Sequence, residues 1–510
     1  MLQSIDYHAI LPELILGGSA VLVLIVDLFV APQRRWIAMP LSVAGVIAAF
    51  AALVTLAVGD TKQTFCLESV KLGGGGFTGC SYVVDDFAII LKMIFLGSAF
   101  VVLLLSLNHF NDERFYQGEY YFLLLCAFFG MLTMASSRDL LMLFLSLEIV
   151  SVPGFIIAGM RKSDTRSTES AIKFFLIGVL STAVMLFGMS IVYGMTGSVQ
   201  LEAIARALAS PQFRETPAMA AGVALVIVGF GFKVSAAPFH FWAPDTYQGA
   251  PVPVAAFLSV ASKAAGFTGL IVVCVVGLRP YAFVWGPLLA VLATLTMTLG
   301  NLVAVQQKHM VRLLAYSSIG QAGYMLVPLS IAATVTRNSP PSDKSLNQAV
   351  AATVAYIAIY AILNLGVFGC VIAVARRTPR NLVADYRGLA RTNPVLAAAI
   401  AFFMLGLAGV PPALAGLFAK LYVFRAAIDN DMVWLAVVMA VNTVVAAWYY
   451  LRIAFTVFAG AGDVAGEAPL ERPRVPVAVV TAIAISVVAA AAVSFYPDLI
   501  FDYAPQFARP

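Results

Sequence analysis

The chain has 510 residues, of which 61% are hydrophobic and only 11% are charged, and its mean hydropathy is +0.93. Soluble domains average roughly 45–50% apolar and 25% charged residues, so no soluble fold could bury this much apolar surface. The net charge of +5 comes without a basic run interleaved with aromatic residues, which argues against a nucleic-acid partner. The composition indicates an integral membrane protein that crosses the bilayer many times.

Apolar runs long enough to cross a bilayer follow one another along the whole chain. One helical crossing needs about 20 apolar residues. The first run has neither a charged leader nor a small-residue cleavage site, so we expect a retained span and not a signal peptide. Fourteen spans are predicted, near residues 10–30, 37–58, 84–107, 118–135, 139–160, 168–194, 218–249, 252–277, 281–304, 312–333, 349–375, 393–428, 432–458 and 475–497.

Two of these runs, 218–249 and 393–428, are too long for one straight helix. The first has Pro238 and Pro244 near its middle, and the second has Pro411 followed by another proline. Because proline removes a helical hydrogen bond and clashes with the preceding turn, both runs predict broken helices. Broken helices at membrane depth are tolerated where they are buried in protein or line a cavity.

The distribution of basic residues between the loops predicts the orientation. Loops that follow odd-numbered spans carry fifteen Lys and Arg, whereas the opposite side carries nine. Cytoplasmic loops are usually the more basic, so we expect both chain termini on the outer face of a bacterial-type cell membrane.

Two cysteines, Cys66 and Cys80, lie in one predicted outer loop, residues 59–83. An oxidising compartment would permit a disulfide there, although two cysteines can also share a loop by chance. The glycines at 73–76 in the same loop indicate a flexible connection and not a phosphate-binding loop, because no Lys-Ser/Thr follows them. The other three cysteines fall inside spans, and the sequence has no metal or iron–sulfur ligand pattern.

Four ionisable residues lie deep within predicted spans, where a charge costs at least about 2.5–3.5 kcal/mol. Glu148 is nine residues from Asp139, which at about 1.5 Å per residue places it near mid-bilayer. Lys263 and Lys420 lie at a similar depth, and Lys233 precedes the first helix break. Three lysines cannot all pair with one carboxylate, so static ion pairs do not account for the set.

Buried lysines can change their protonation state. Burial disfavours the charged form, whereas a nearby carboxylate favours it, so the approach or withdrawal of a partner can move a proton. Glu148, Lys233, Lys263 and Lys420 are therefore the predicted proton relay. The alternative is that these charges only hold the helices together.

Other polar residues within spans are open to two interpretations. His240 lies in the first break and could transfer protons or satisfy the broken backbone. Lys173 could be an accessory carrier, or its long side chain could reach the membrane surface. For Lys92, Arg425 and Arg452 we expect the surface-reaching conformation.

Residues 120–277 and 281–458 each contain five spans, and the broken span is the fourth in each. Because five is odd, a second copy would enter the membrane from the opposite side. We therefore predict an all-α membrane protein with two inverted five-helix repeats, a pattern typical of transporters.

Several long motifs resemble a known family, the antiporter-like membrane subunits of respiratory complex I (NADH-quinone oxidoreductase), which are related to Mrp-type sodium/proton antiporters. The stretch 231–267, GFKVSAAPFHFWAPDTYQGAPVPVAAFLSVASKAAGF, resembles the signature shared by both groups. Further motifs are most similar to the N-type subunits: LPELILGGSAVLVLIVDLF (11–29), VDDF (84–87), SLEIVSVPGF (146–155), ESAIKFFLIG (169–178), RLLAYSSIGQAGYML (312–326) and YRGLARTNP (386–394).

The resemblance implies a fourteen-helix fold whose mid-membrane relay residues match Glu148, Lys233, Lys263 and Lys420. It divides the chain into an N-terminal three-helix segment (1–117), two repeats (118–280 and 281–460) and a C-terminal loop with the last helix (461–510). The chain departs from many relatives at Gln321, where they have histidine, and at Val311, where they have lysine, so the resemblance does not fix the proton route of the second half.

The expected function is proton translocation within a complex that oxidises NADH and reduces a quinone. This chain is expected to hold no cofactor or metal, and NADH, flavin, iron–sulfur clusters and quinone are expected to bind partner chains. The expected partners are neighbouring antiporter-like and small membrane subunits. The alternatives are a secondary sodium/proton antiporter subunit and a structural membrane scaffold.

Overall fold

The computed structural model is a bundle of long helices with one small β-hairpin. It describes residues 5–72, 75–107, 117–210, 216–336, 341–376, 378, 381–460 and 475–501. The predicted C-terminal segment therefore has its loop residues 461–474 and its last residues 502–510 outside the described part, as are Gly73 and Gly74 of the glycine run.

Helices occur at each of the fourteen predicted spans. Through the first half they are α1 (Leu11–Phe29), α2 (Ala38–Ala57), α3 (Asp86–Ser106), α4 (Gln117–Ser136), α5 (Leu140–Ala158), α6 (Thr165–Thr196), α7 (Leu201–Leu208), α8 (Pro217–Lys233), α9 (Trp242–Gly249), α10 (Val252–Phe257) and α11 (Lys263–Val272). Two π-helical turns, Leu258–Ser262 and Val273–Gly277, extend α10 and α11 into one continuous helix, Val252–Gly277.

The second half continues with α12 (Ala282–Gln306), α13 (Met310–Leu329), α14 (Asp343–Ala375), α15 (Leu389–Thr392), α16 (Pro394–Ala408), α17 (Ala415–Asp429), α18 (Val433–Phe458), α19 (Val477–Phe495) and α20 (Asp498–Phe501). Short polar side chains cap several of the helix starts. Asp85, Asp139 and Asn393 each accept a hydrogen bond from a backbone N–H in the first turn of α3, α5 and α16.

Eleven of the described helices are long and apolar enough to cross a membrane, and α8 and α16 are shorter apolar helices. The remaining predicted span is α13, a 20-residue helix whose polar residues include Ser317, Ser318 and Gln321. Its lower apolar content has a structural reason, because those side chains face the interior and not lipid. The fold class is therefore confirmed as a multi-span helical membrane protein, while the repeat symmetry and the domain division stay predictions.

One part of the all-α prediction is wrong. The predicted outer loop 59–83 contains an antiparallel hairpin of β1 (Lys62–Leu72) and β2 (Gly75–Val84), which Cys66 and Cys80 close with a disulfide. The segment includes Thr, Phe, Val and Tyr, which favour strands, but its polarity and glycines read as a loop. The amphipathic helix α7 was also not predicted, because eight residues are too few for a span.

Both predicted helix breaks are present. The first separates α8 from α9 and contains Pro238, whereas Pro244 sits in the first turn of α9, where proline is tolerated. The indole N–H of Trp242 donates to the Phe232 carbonyl at 3.1 Å, and Thr296 Oγ1 accepts from the N–H of Ala237 at 2.9 Å. The break is thus stabilised by neighbours that replace the lost backbone bonds.

The second break separates α16 from α17 and contains the two prolines that follow Val410. Gly409 ends α16 in the left-handed conformation, with φ +83°. Ser494 Oγ of α19 accepts from the backbone N–H of Ala415 at 3.0 Å, at the start of α17. The most buried helices are Val252–Gly277 and α14, which run through the centre of the bundle between the two breaks.

Candidate functional site: a row of buried lysines

The three predicted relay lysines are among the most buried charged residues of the described chain. Lys233, Lys263 and Lys420 are 3%, 2% and 3% exposed and lie on α8, α11 and α17. Glu148, on α5, is partly buried, and one of its carboxylate oxygens has no hydrogen-bond partner. Each side chain comes from a different helix, so only the packing of the bundle brings them together.

Lys233 is the last residue of α8, immediately before the break. Its Nζ donates to Ser151 Oγ at 3.0 Å, and the Ser151 hydroxyl donates to the Leu147 carbonyl at 2.6 Å. Glu148 stands within electrostatic range of Lys233, but the two do not form a direct ion pair in the described structure. Ser151, one turn after Glu148 on α5, is a contact of Lys233 that the sequence did not indicate.

Lys233 and Lys263 meet at the contact between α8 and α11. A Cβ atom on Gly266 would lie 2.9 Å from Cγ of Lys233, so only glycine lets the Lys233 stem pass at this point. Lys263 precedes Gly266 by three residues and hence lies on the same face of the helix. It follows directly after a π-helical turn, a distortion that is frequent at functional sites.

Lys263 is held by α13 and not by a carboxylate. Its Nζ donates to both the backbone carbonyl and the hydroxyl of Ser318, the carbonyl contact being 2.6 Å. Next to it on α13, Ser317 shares a hydrogen bond with the hydroxyl of Tyr450. A patch of serine and tyrosine hydroxyls therefore extends from Lys263 toward the second half of the chain.

Lys420 uses the second helix break. Its Nζ donates to the carbonyls of Leu407 at 3.1 Å and of Ala408 at 2.7 Å, which end α16. The last carbonyls of a helix have no partner within the helix and carry partial negative charge, so they suit an ammonium group. The ammonium also lies 5.6 Å from the centre of the Tyr324 ring, which adds a cation–π contact.

A small cavity lies beside Lys420. Tyr356, Tyr360 and Gln321 are among the residues that line it. The Gln321 side chain accepts from Tyr356 OH and donates to Tyr450 OH at 3.0 Å. The amide that replaces the histidine of many relatives is thus fully engaged between two tyrosines.

The two accessory candidates lie away from this row of buried lysines. His240 lies in the first break, 4% exposed, and its Nδ1 is buried without a hydrogen-bond partner, so both interpretations of this residue stay open. Lys173 is half-exposed and pairs with Glu169 at 2.7 Å and Asp245 at 3.2 Å. Because Asp245 also binds Arg312 at 2.8 Å, Lys173 belongs to a charged cluster on the side of the bundle.

The expectation that Lys92 reaches the membrane surface is wrong. Its side chain is 0% exposed, and its Nζ lies 2.7 Å from Glu13 Oε1 and donates to Tyr82 OH at 2.8 Å. Burial and the nearby Glu13 raise the pKa of Tyr82, on β2, well above its usual value, so the phenol stays protonated. The partners of Lys92 come from α1 and β2, and a contact over such a separation leaves no signal in sequence spacing.

A second buried ion pair lies next to these residues. Arg138, between α4 and α5, binds Asp85 at 2.6 Å, and Asp85 also caps α3. Together the two pairs balance two positive and two negative charges. Arg425 and Arg452 are exposed, as the expectation for these two arginines requires.

Comparisons with known proteins agree with these features. The family model described as "NADH:quinone oxidoreductase/Mrp antiporter, TM" matches residues 137–446. NADH-quinone oxidoreductase subunit N 2 of Streptomyces griseus subsp. griseus is 44% identical over 520 aligned residues, covering 99% of this chain and 94% of the relative.

Among solved structures, a chain of respiratory complex I from Thermus thermophilus with bound aureothin has a TM-score of 0.74 at 30% identity, covering 96% of this chain and 98% of that chain. A chain of the Mrp complex from Dietzia sp. DQ12-45-1b has a TM-score of 0.79 at 19% identity, covering 97% and 96%, and shares the fold. The chain therefore belongs to the NADH:quinone oxidoreductase/Mrp antiporter membrane family and, within it, to the family of NADH-quinone oxidoreductase N subunits.

Proposed function

We propose that this chain translocates protons as the N-type membrane subunit of an NADH-quinone oxidoreductase, along Glu148, Lys233, Lys263 and Lys420. The observation that carries the proposal is the way the three lysines are held. Each ammonium binds hydroxyl or carbonyl oxygens, and none forms a direct ion pair with a carboxylate in the described structure. Neutral oxygens stabilise a buried ammonium less than a carboxylate does, so these lysines can release a proton.

The proposed mechanism is electrostatic. Glu148 stabilises the charged form of Lys233 when the two approach each other. When a charge in a neighbouring subunit changes and draws Glu148 away, Lys233 releases its proton toward Lys263, and the proton continues to Lys420. The chain's own residues supply the carriers, and the energy comes from electron transfer in partner chains.

Partner chains would hold NADH, flavin, iron–sulfur clusters and quinone, because the sequence has no motif for them. The family places this multi-pass membrane protein beside other membrane subunits, and we infer antiporter-like and small membrane subunits as direct neighbours. The half-exposed cluster of Lys173, Glu169 and Asp245 supports a contact of this kind, since charged side chains facing lipid are unfavourable. The excess of basic residues in odd-to-even loops supports a cell-membrane orientation with both termini outside.

The test is the replacement Lys233→Ala in membranes that contain the whole complex. We expect NADH-driven proton pumping per assembled complex to fall by at least about tenfold, because a positioned proton carrier typically contributes a hundredfold or more. Electron transfer from NADH to quinone is measured in parallel, and a native gel reports assembly. Lys344→Ala, at an exposed lysine at the start of α14, is the matched control.

Each outcome separates the proposal from its competitors. Normal pumping in assembled Lys233→Ala and Glu148→Ala complexes would refute the relay. Loss of assembly with normal pumping in whatever complex remains would favour a structural scaffold. Pumping that requires sodium would favour a secondary sodium/proton antiporter subunit.

A further inference from the structure

The relay as described leaves a gap between Lys263 and Lys420. Lys263 is bound to Ser318 on α13, whereas Lys420 is bound to the carbonyls that end α16. The central helix α14 packs against α13, α16 and α17. A side chain of α14 is therefore the natural candidate to connect the two lysines.

The continuous hydrogen-bond chain in this region does not provide the connection. It runs from Ser317 through Tyr450 and Gln321 to Tyr356. Its central member is an amide, whose oxygen only accepts and whose nitrogen only donates. A proton could pass through Gln321 only by converting the amide to its imidic acid form, so this chain fixes positions and does not conduct.

Tyr360 lies one turn further along α14 than Tyr356 and has the required contacts on both sides. Its side chain is 3% exposed, and its hydroxyl is buried without a hydrogen-bond partner of good geometry. The hydroxyl lies beside that of Ser318, which binds Lys263. The same tyrosine lines the cavity that contains Lys420.

We propose that Tyr360 carries the proton between Lys263 and Lys420, by way of Ser318 and the cavity beside Lys420. This inference rests on the proposed relay and names the residue that connects its two halves. Tyr247 of α9 also lies beside Ser318 but is not part of the cavity lining, so it cannot complete the path.

The step conserves protons at every atom. The Lys263 ammonium gives a proton to the Ser318 oxygen, and Ser318 passes its own hydroxyl proton to the oxygen of Tyr360. Tyr360 releases its original proton through the cavity to the neutral amine of Lys420. Each hydroxyl ends with one proton, one N–H bond has broken at Lys263, and one has formed at Lys420.

The test is Tyr360→Phe in the complete complex, which removes one oxygen and keeps the ring. We expect proton pumping per assembled complex to fall by about tenfold or more, since the variant lacks the group that both donates and accepts. Tyr120→Phe is the matched control, because that buried hydroxyl bonds Ser106 between α3 and α4 and lies outside the relay. This control should pump like the unaltered complex.

A second variant, Tyr360→His, separates proton transfer from packing and serves if the phenylalanine variant assembles poorly. Imidazole can donate and accept a proton near pH 6.5, so pumping in this variant should exceed that of Tyr360→Phe. It should also acquire a pH dependence between about pH 6 and 7 that the unaltered complex lacks. Equal losses in both variants, without a new pH dependence, would mean that Tyr360 only packs.

Lys420→Met distinguishes failure of this inference from failure of the proposed function. If Lys420→Met stops pumping while Tyr360→Phe pumps like Tyr120→Phe, the connection through Tyr360 is wrong and the relay stands. If Lys420→Met also pumps normally, the relay itself is wrong and the inference falls with it.

Discussion

At the scale of single residues, the oxygen that faces each lysine sets how tightly its proton is held. Ser151 illustrates this, because its hydroxyl gives its hydrogen to the Leu147 carbonyl and so presents a lone pair to Lys233. The serine thereby orients the ammonium within electrostatic range of Glu148 without adding a charge. We regard Ser151 as a positioning residue for the first carrier.

Ser151→Ala should accordingly weaken pumping without abolishing it. A hydrogen bond to a charged group contributes about 1.5–3 kcal/mol, and a water molecule can replace part of it, so we expect a loss of about three- to tenfold. The measurement is NADH-driven pumping per assembled complex over a range of pH, since a less well held Lys233 should shift the pH profile.

The control for this variant is Ser42→Ala, a buried serine of α2 whose hydroxyl bonds only its own helix at Ala38. It should leave the pH profile unchanged. A Ser151→Ala complex with an unaltered profile would contradict the positioning role.

At the scale of elements, the helix breaks are part of the site and not interruptions of it. The second break ends α16 at Ala408, so that the last carbonyls point at Lys420 and not at a following turn. Gly409 makes this ending possible because its φ of +83° lies in the left-handed region, which costs other residues about 1–2 kcal/mol. A fixed carbonyl pair gives Lys420 a defined resting place.

Gly409→Ala should therefore disturb Lys420 through the backbone. A Cβ there would find only ordinary contacts, the nearest at 3.5 Å, so the left-handed backbone and not crowding is the cause. We expect a modest loss of thermal stability, by about 1–2 kcal/mol, together with reduced pumping.

Gly97→Ala on α3 is the comparison, since nothing lies within 4 Å of a Cβ at that helical position. It should keep both stability and pumping. Unchanged behaviour of Gly409→Ala would mean that the carbonyls of Leu407 and Ala408 do not depend on this turn.

The same elements show which features a sequence can indicate. Proline position predicted both breaks, and depth along the spans indicated the four relay candidates, because both signals are local. The β-hairpin was missed because its polar, glycine-rich strands resemble a loop. The Glu13–Lys92 pair and the engagement of Gln321 could not be predicted, since their partners lie on helices distant along the chain.

At the scale of the whole molecule, the first three helices are joined to the rest by buried charges. Lys92 of α3 bridges Glu13 of α1 and Tyr82 of the hairpin. Beside them, Arg138 connects the start of α5 to Asp85 of α3. This neutral set lies apart from the row of buried lysines, and each member already has a partner, so its role is to hold the N-terminal segment against the first repeat.

Charge balance predicts how this attachment fails. Lys92→Met leaves Glu13 buried and unpaired, which typically costs about 3–5 kcal/mol, so we expect little assembled complex on a native gel. Adding Glu13→Gln removes the orphaned charge, and replacing a whole buried pair with neutral groups is often nearly neutral. The double variant should therefore recover assembly and pump normally per complex. A double variant that assembles but fails to pump would instead place Glu13 and Lys92 on the proton path, because only a relay would need their charges once the fold no longer does.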